Sequence, residues 1–386
     1  MLLRSIIFAG AVHGFFLILL FRSKNKGSHS DYWLMLWLFL VSIQLFFYYD
    51  NQETNSFSGG VSGILAFSIP LLSGPILFQY ICSLSFGKKI DYKRLVVYFT
   101  PWLAYMILTG WIKLSHPLDI FMKFGYPHFS SNISSVFVYV FTLPMAIIPG
   151  LYAIMGLVVL LRYQKSLPDE YSYTETINLN WLKWLVFTIL VLFLVLFLFI
   201  HFGTQLHLIS GNTLFGYVGA LLSLYVFLIG YFGLRQSTIL MLAITKMTAE
   251  NVTKDAPYKK SGIDQSAVEH IYLRLLSHME TQKPFLRDDL SLAQLANQLS
   301  INSNQLSQVI NQKSGSNFFV FVNAYRVEEV KTKLLNPSFS NFSILGIAHD
   351  CGFRSKSAFN RIFKEQVGVG PRDYQRKNST KSSPIV

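Results

Sequence analysis

Seven stretches of this sequence run for 17 to 28 residues without an Asp, Glu, Lys or Arg. They lie near Ser5–Phe21, Tyr32–Tyr49, Val61–Phe86, Leu95–Ile112, Ser134–Leu161, Trp184–Phe202 and Thr213–Leu234. About 20 apolar residues are what a helix needs to cross the roughly 30 Å hydrocarbon core of a bilayer. A helix also satisfies its own backbone polar groups there, which a lone strand does not. Residues 1–234 are therefore expected to form a polytopic domain of seven membrane helices. The first stretch has the length of a secretory signal, but it lacks a convincing cleavage site and six more apolar runs follow, so it is read as a true span. Whole-chain averages, 52% hydrophobic and 14% charged, hide a division, because residues 235–386 have the composition of a soluble protein.

Loop charge orients the spans. Arg22, Lys24, Lys26, Lys88, Lys89, Lys93, Arg94, Arg162, Lys165 and Lys183 fall on one side, ten basic residues against Arg4, Lys113 and Lys123 on the other. The positive-inside rule puts the N-terminus outside and the C-terminus in the cytoplasm of a bacterial inner membrane. Polar residues within or at the ends of spans, His13, Gln44, Gln79 and His201, either line a ligand pocket or bond between helices. The third and fifth spans carry proline pairs, Pro70/Pro75 and Pro144/Pro149, which either bound a cavity or are simply tolerated kinks. Cys82 and Cys351 suggest neither a disulfide framework nor a metal site, the histidines lack ligand spacing, and no cofactor is expected.

Residues 235–283 read as a connector: a helix leaving the seventh span through Met247, a polar linker from Asn251 to Gly262, then an amphipathic helix over Asp264–Lys283. Its apolar positions, Val268, Ile271, Tyr272, Leu275, Leu276 and Met279, recur at helical spacing. That stripe either pairs with a second copy in a homodimer or packs on the domain that follows.

Two later stretches carry one pattern. In Ser303–Asn311, Leu306, Val309 and Ile310 form a buried stripe opposite Asn304, Ser307, Gln308 and Asn311. In Ser355–Lys364, Phe359, Ile362 and Phe363 point inward while Ser357, Asn360, Arg361 and Lys364 point out. Each follows a shorter apolar-faced helix and a tight turn, the second turn holding Gly352 where a positive φ costs little. Helix, turn, helix, twice over, is a tandem helix-turn-helix. A helix of about nineteen residues, Asn317–Leu335, would join the two units and span roughly 28 Å.

Residues from about Pro284 to Arg376 resemble the DNA-binding domain of AraC/XylS-family transcription regulators. The resemblance rests on Leu295-Ala296, Leu306-Ser307, Ile347-Ala348, Gly352-Phe353, Phe359, Phe363-Lys364, Gly368, Pro371 and Tyr374. Gly370 and Gln375 depart from the family's usual Thr and Arg, both beyond the last recognition helix. The resemblance implies base contacts by Asn304, Ser307, Gln308, Ser357, Asn360 and Arg361, the residues the helical stripes also select. Arg361 suits guanine, and Asn or Gln suits adenine. From Gly352 to Val386 there are eight basic and two acidic residues, so the second unit should supply most phosphate attraction, with Arg354, Lys356 and Lys364 as candidates.

The expectation is thus an all-α chain: a seven-span sensor domain (1–234), a connector (235–283), a tandem helix-turn-helix domain (284–377) and a disordered tail (378–386). It would be a membrane-bound one-component regulator rather than an enzyme. Its partners would be promoter DNA, the bilayer, RNA polymerase and an unidentified small-molecule or membrane signal. The alternative is a transporter-like membrane protein with a regulatory tail, which charge-free spans disfavour.

Overall fold

The computed structural model describes residues 2–23, 28–50, 61–86, 92–116, 120–123, 126–129, 134–175, 177–198, 216–234 and 264–379. The chain divides into two compact units. One comprises Met1–Tyr163 and Leu179–Thr238, the other Gln164–Asn178 and Ile239–Val386. The connector expected between Arg235 and Gly262, and His201, lie outside the described residues.

The first unit holds α1 (Leu2–Arg22), α2 (His29–Asp50), α3 (Val61–Phe86), α4 (Tyr92–Ser115), most of α5 (Ser135–Glu170), α6 (Asn180–Leu198) and α7 (Gly216–Leu234). Among the described residues, six helices are long and apolar enough to cross a membrane. The remaining long helix, α4, has 24 residues but carries Lys93, Arg94 and Lys113 towards its ends.

Close approach on α1 depends on small residues. Gly10 and Gly14 lie one turn apart, and a Cβ at either would overlap a serine, Ser223 or Ser42 respectively. This small-xxx-small spacing lets helix backbones approach closely. Farther along, α3, α4 and α5 share a core of Phe67, Leu71, Tyr105, Phe141 and Met145. Its polar atoms are satisfied internally: the Tyr105 hydroxyl donates to Phe141 O at 3.0 Å, and Trp102 Nε1 donates to Ser68 Oγ at 3.0 Å.

One departure from an all-α expectation is a hairpin, β1 (Ile120–Lys123) and β2 (Tyr126–Phe129), paired antiparallel with Ile120 opposite Phe129. Ile120 seats in the α3–α5 core, and Lys113 Nζ donates to its carbonyl.

The second unit is built from α8 (Gln265–Thr281), α9 (Leu292–Gln298), α10 (Ser303–Ser314), α11 (Phe318–Leu335), α12 (Ile344–Asp350), α13 (Lys356–Val367) and α14 (Pro371–Ser379). It has two main cores. Leu295, Leu306, Ile310, Phe318 and Val322 lie in the first, and Val327, Val330, Phe359, Ile362 and Phe363 in the second. The long helix α11 therefore walls both. The stripe of α8 is buried by the first helix-turn-helix: Leu275 and Met279 join its core, and Val268 and Ile271 meet Val309. Of the two expectations for that stripe, packing within the domain is the one the structure adopts.

Candidate nucleic-acid interface

Each recognition helix is fixed at its start by a side chain. Asn302 caps α10, accepting from Asn304 N at 2.8 Å, while Gln305 reaches back to Asn302 N at 3.3 Å. Ser355 caps α13, accepting from Ala358 N at 3.2 Å. Both end on left-handed glycines, Gly315 at φ 66° and Gly368 at φ 83°. Inside, Leu306, Val309 and Ile310, and Phe359, Ile362 and Phe363, are all buried, as their spacing requires.

The turns differ in chemistry. The first unit reaches its left-handed geometry with Ser300, at φ 54°. In the second, Gly352 sits at φ 88°, and a Cβ there would lie 2.5 Å from Phe285 O and 2.9 Å from Arg326 Nε. Only glycine satisfies both conditions.

The outward stripes are available. Asn304, Asn311, Lys356, Ser357, Asn360 and Lys364 are exposed, with Ser307 and Gln308 half-buried. Among the described residues, the side chains of Asn304, Gln308, Asn360, Lys356 and Lys364 bond to no other part of the protein, so their donors remain unspent. Two arginines differ. Arg354 is tied down, its Nε donating to Asp288 O at 2.9 Å while its guanidinium lies 3.9 Å from the Tyr173 ring centre. Arg361 is exposed but paired, Nη1 with Glu365 and Nη2 with Glu175, both at 3.3 Å.

Helix α11 has 18 residues, about 27 Å of rise, between the two units. That length is commensurate with the pitch of about 34 Å separating successive major grooves on one DNA face. Within it Arg326 is buried at 1% exposure. Its guanidinium donates to Phe285 O at 2.8 Å and Arg287 O at 2.7 Å, carbonyls of the segment entering the first unit. Burial pushes its pKa down to about 10, a shift resisted by Asp288, Glu175 and Asp289. It remains a cation at neutral pH. Sequence reading did not single out Arg326, although a signal existed: it falls on the α11 stripe between Val322 and Val330, where an unpartnered charge would be costly.

Of the residues put forward as a ligand pocket, Gln44, His13 and Gln79 do not share one cavity, and His201 lies outside the described residues. Gln44 lines a cavity of about 70 Å³ with Trp37, Tyr48, Pro70, Pro149 and Tyr152, its Nε2 donating to Tyr48 Oη at 3.0 Å. One proline from each pair thus borders the void. His13 instead stacks on Phe227, ring centres 4.0 Å apart, and Gln79 is absent from the lining. The void is under half the roughly 150 Å³ that holds a benzene molecule, so in this conformation it admits nothing much larger than water.

The geometry defines a class: two helix-turn-helix units on one connecting helix, presenting polar recognition faces. Residues 295–377 match a family model described as a helix-turn-helix domain. A stretch of 99 residues is 28% identical to Regulatory protein PocR of Salmonella typhimurium, covering 26% of this chain and 32% of that protein. The chain thus spans about a third of the curated relative it matches. Two solved structures are also similar. A protein of unknown function from Listeria innocua is 29% identical, with 28% of this chain and 95% of that one covered and a TM-score of 0.25. The C-terminal domain of AraT, a response regulator from Geobacillus stearothermophilus, is 27% identical, with 31% and 89% covered and the same TM-score of 0.25. The C-terminal part of this chain carries a helix-turn-helix domain of the AraC type.

Proposed function

We propose that this chain is a membrane-embedded one-component transcription regulator. Its apolar helices sense a signal in or at the bacterial inner membrane, and its cytoplasmic domain reads promoter DNA through α10 and α13. The observation that carries this reading is the contrast between the outer surfaces of the two units. In the first, Phe16, Leu19, Ile107, Trp111, Leu151 and Leu194 are each more than half exposed. Water-soluble proteins rarely expose contiguous apolar patches above a few hundred Å². In the second, the exposed stripes are Asn, Gln, Ser, Lys and Arg at the spacing of major-groove readers. Base contacts are assigned to Asn304, Ser307, Gln308, Ser357, Asn360 and Arg361, and phosphate contacts to Lys356 and Lys364. Asn311 sits at the far end of the α10 stripe. Arg354 acts here as a brace, since its Nε is held by Asp288 and its guanidinium lies on the Tyr173 ring. RNA polymerase is the partner such a regulator would engage, and a homodimer would use a surface other than the buried face of α8.

The test is genome-wide mapping of tagged full-length protein, with membrane fractionation of the same cells. Recovery in the membrane fraction together with enrichment at discrete promoters supports the reading. Soluble recovery, or DNA enrichment no greater than in an untagged strain, would reject it.

A further inference from the structure

The segment Gln164–Asn178 joins α5 to α6 in sequence yet belongs to the same compact unit as the helix-turn-helix domain. Its anchor is Ser172, 1% exposed and held by five hydrogen bonds. Its amide and its hydroxyl both donate to Leu290 O, at 3.2 and 2.6 Å. Its carbonyl accepts from Asn323 Nδ2 and Arg326 Nη1, each at 3.1 Å, and its Oγ accepts from Arg326 Nη2 at 3.0 Å. Tyr171 adds an antiparallel bridge to Ser291, the N-cap of α9. From this anchor the chain runs to the second recognition unit, where Tyr173 lies under the Arg354 guanidinium and Glu175 pairs with Arg361.

Two features set this segment apart from an ordinary structural loop. First, its attachment is polar. No residue of it belongs to either main core of the domain. Without it, Arg326 still keeps Phe285 O, Arg287 O and Asn323 Oδ1 as acceptors. Release therefore exchanges hydrogen bonds with water and uncovers the Tyr173 ring, without opening either main core. Second, its far end places a carboxylate on Arg361, the residue best suited to guanine. Glu175 occupies donors that a base edge would need, and its negative charge repels approaching phosphates.

We infer that Tyr171–Glu175 is an inhibitory strap, a polar clasp that competes with DNA for the second recognition helix and that must disengage for α13 to seat. The strap is covalently continuous with α5 and α6, so a signal that shifts those helices acts on it directly. This route does not require the connector after α7. The inference rests on the DNA-binding reading above.

The test uses the full chain in lipid nanodiscs and a duplex enriched from a random library by the Glu175→Gln chain. Glu175→Gln should bind that duplex about fivefold more tightly than the unaltered chain, the scale of one exposed ion pair. The difference should vanish when both chains also carry Arg361→Ala. Hydrogen exchange supplies a readout that a mere brace would not move: the Ser172 amide of the unaltered chain should exchange faster when the duplex is saturating. Equal affinities with unchanged Ser172 protection would overturn the strap and leave the DNA-binding reading standing. Failure of either chain to enrich any duplex would overturn both.

Discussion

Replacing Gly352 by Ala is the sharpest test of how the second helix-turn-helix is held, because two effects add at one position. At φ 88° a side chain is strained whatever surrounds it, at about 1–2 kcal/mol. The new Cβ would also stand 2.5 Å from Phe285 O and 2.9 Å from Arg326 Nε, backbone and buried side chain with little room to yield. Such overpacking costs about 1–3 kcal/mol. Pushing those atoms apart weakens the 2.8 Å bond from Arg326 to Phe285 O, and a hydrogen bond to a charged group contributes about 1.5–3 kcal/mol. The expected loss is at least about 2 kcal/mol before any weakening of that bond is counted, a sizeable share of the 5–15 kcal/mol typical of a domain. Gly315 provides the internal control. It has φ 66° but nothing within 4 Å of its would-be Cβ, so Gly315→Ala should cost only the backbone share, about 1–2 kcal/mol. Urea unfolding of residues 264–379, which contain both main cores, measures the two losses side by side. Equal losses would refute the close-approach argument and leave only backbone strain.

Arg361→Ala should cost about 1–3 kcal/mol at a cognate site and relax preference at one base pair, whereas Lys364→Ala should weaken cognate and random duplexes alike and lower the salt slope by about one unit. Binding isotherms at several salt concentrations separate these outcomes, and a uniform loss for Arg361→Ala would remove its base-reading role. Reporter fusions after Lys26, Gly87 and Lys165 should behave as cytoplasmic, and fusions near Asn55 and Asn212 as external; an external signal at Lys165 would break the topology. Burial holds the Cys351 thiol protonated, raising its pKa from 9.0 to about 11. Alkylation at pH 8 should therefore be slow until the domain unfolds. Because the folded state keeps this proton longer than the unfolded chain, the group's stabilising contribution is full below pH 9.0 and is lost as pH rises through about 11. A Cys351→Ala variant whose stability falls as steeply over that range would discount the thiol.

The helix-turn-helix domain was legible in the sequence because its information is local. Stripes at helical spacing placed Leu306, Val309, Ile310, Phe359, Ile362 and Phe363 inside, and the expected Asp264–Lys283 helix emerges as Gln265–Thr281. Gly352 was also readable, since a left-handed turn leaves a glycine behind. The contacts of Ser172 left no such trace. Its partner Leu290 is 118 residues away, and periodicity reports only what shares a helix face. The hairpin escaped for a related reason: eight strand residues in a chain dominated by apolar helices give too short an alternation to stand out. On α1, the Gly10–Gly14 spacing was present in the sequence, yet its partners Ser223 and Ser42 lie on other helices. In the first unit, inward and outward helix faces are both largely apolar. Hydropathy therefore marks the helices without saying which faces meet.

Because α11 walls both cores of the domain, the two recognition helices are mounted on one rigid rod rather than strung on a tether. DNA twists by about 34–36° for each base pair, at 10–10.5 pairs per turn. One pair inserted between the two half-sites therefore rotates the second away from the helix meant to read it, while adding only about 3.4 Å of distance. A flexible linker would absorb that change, and α11 does not. If the proposed DNA reading holds, operators for this protein would be held to a single helical phase, making their spacing as much a part of the recognised sequence as their bases.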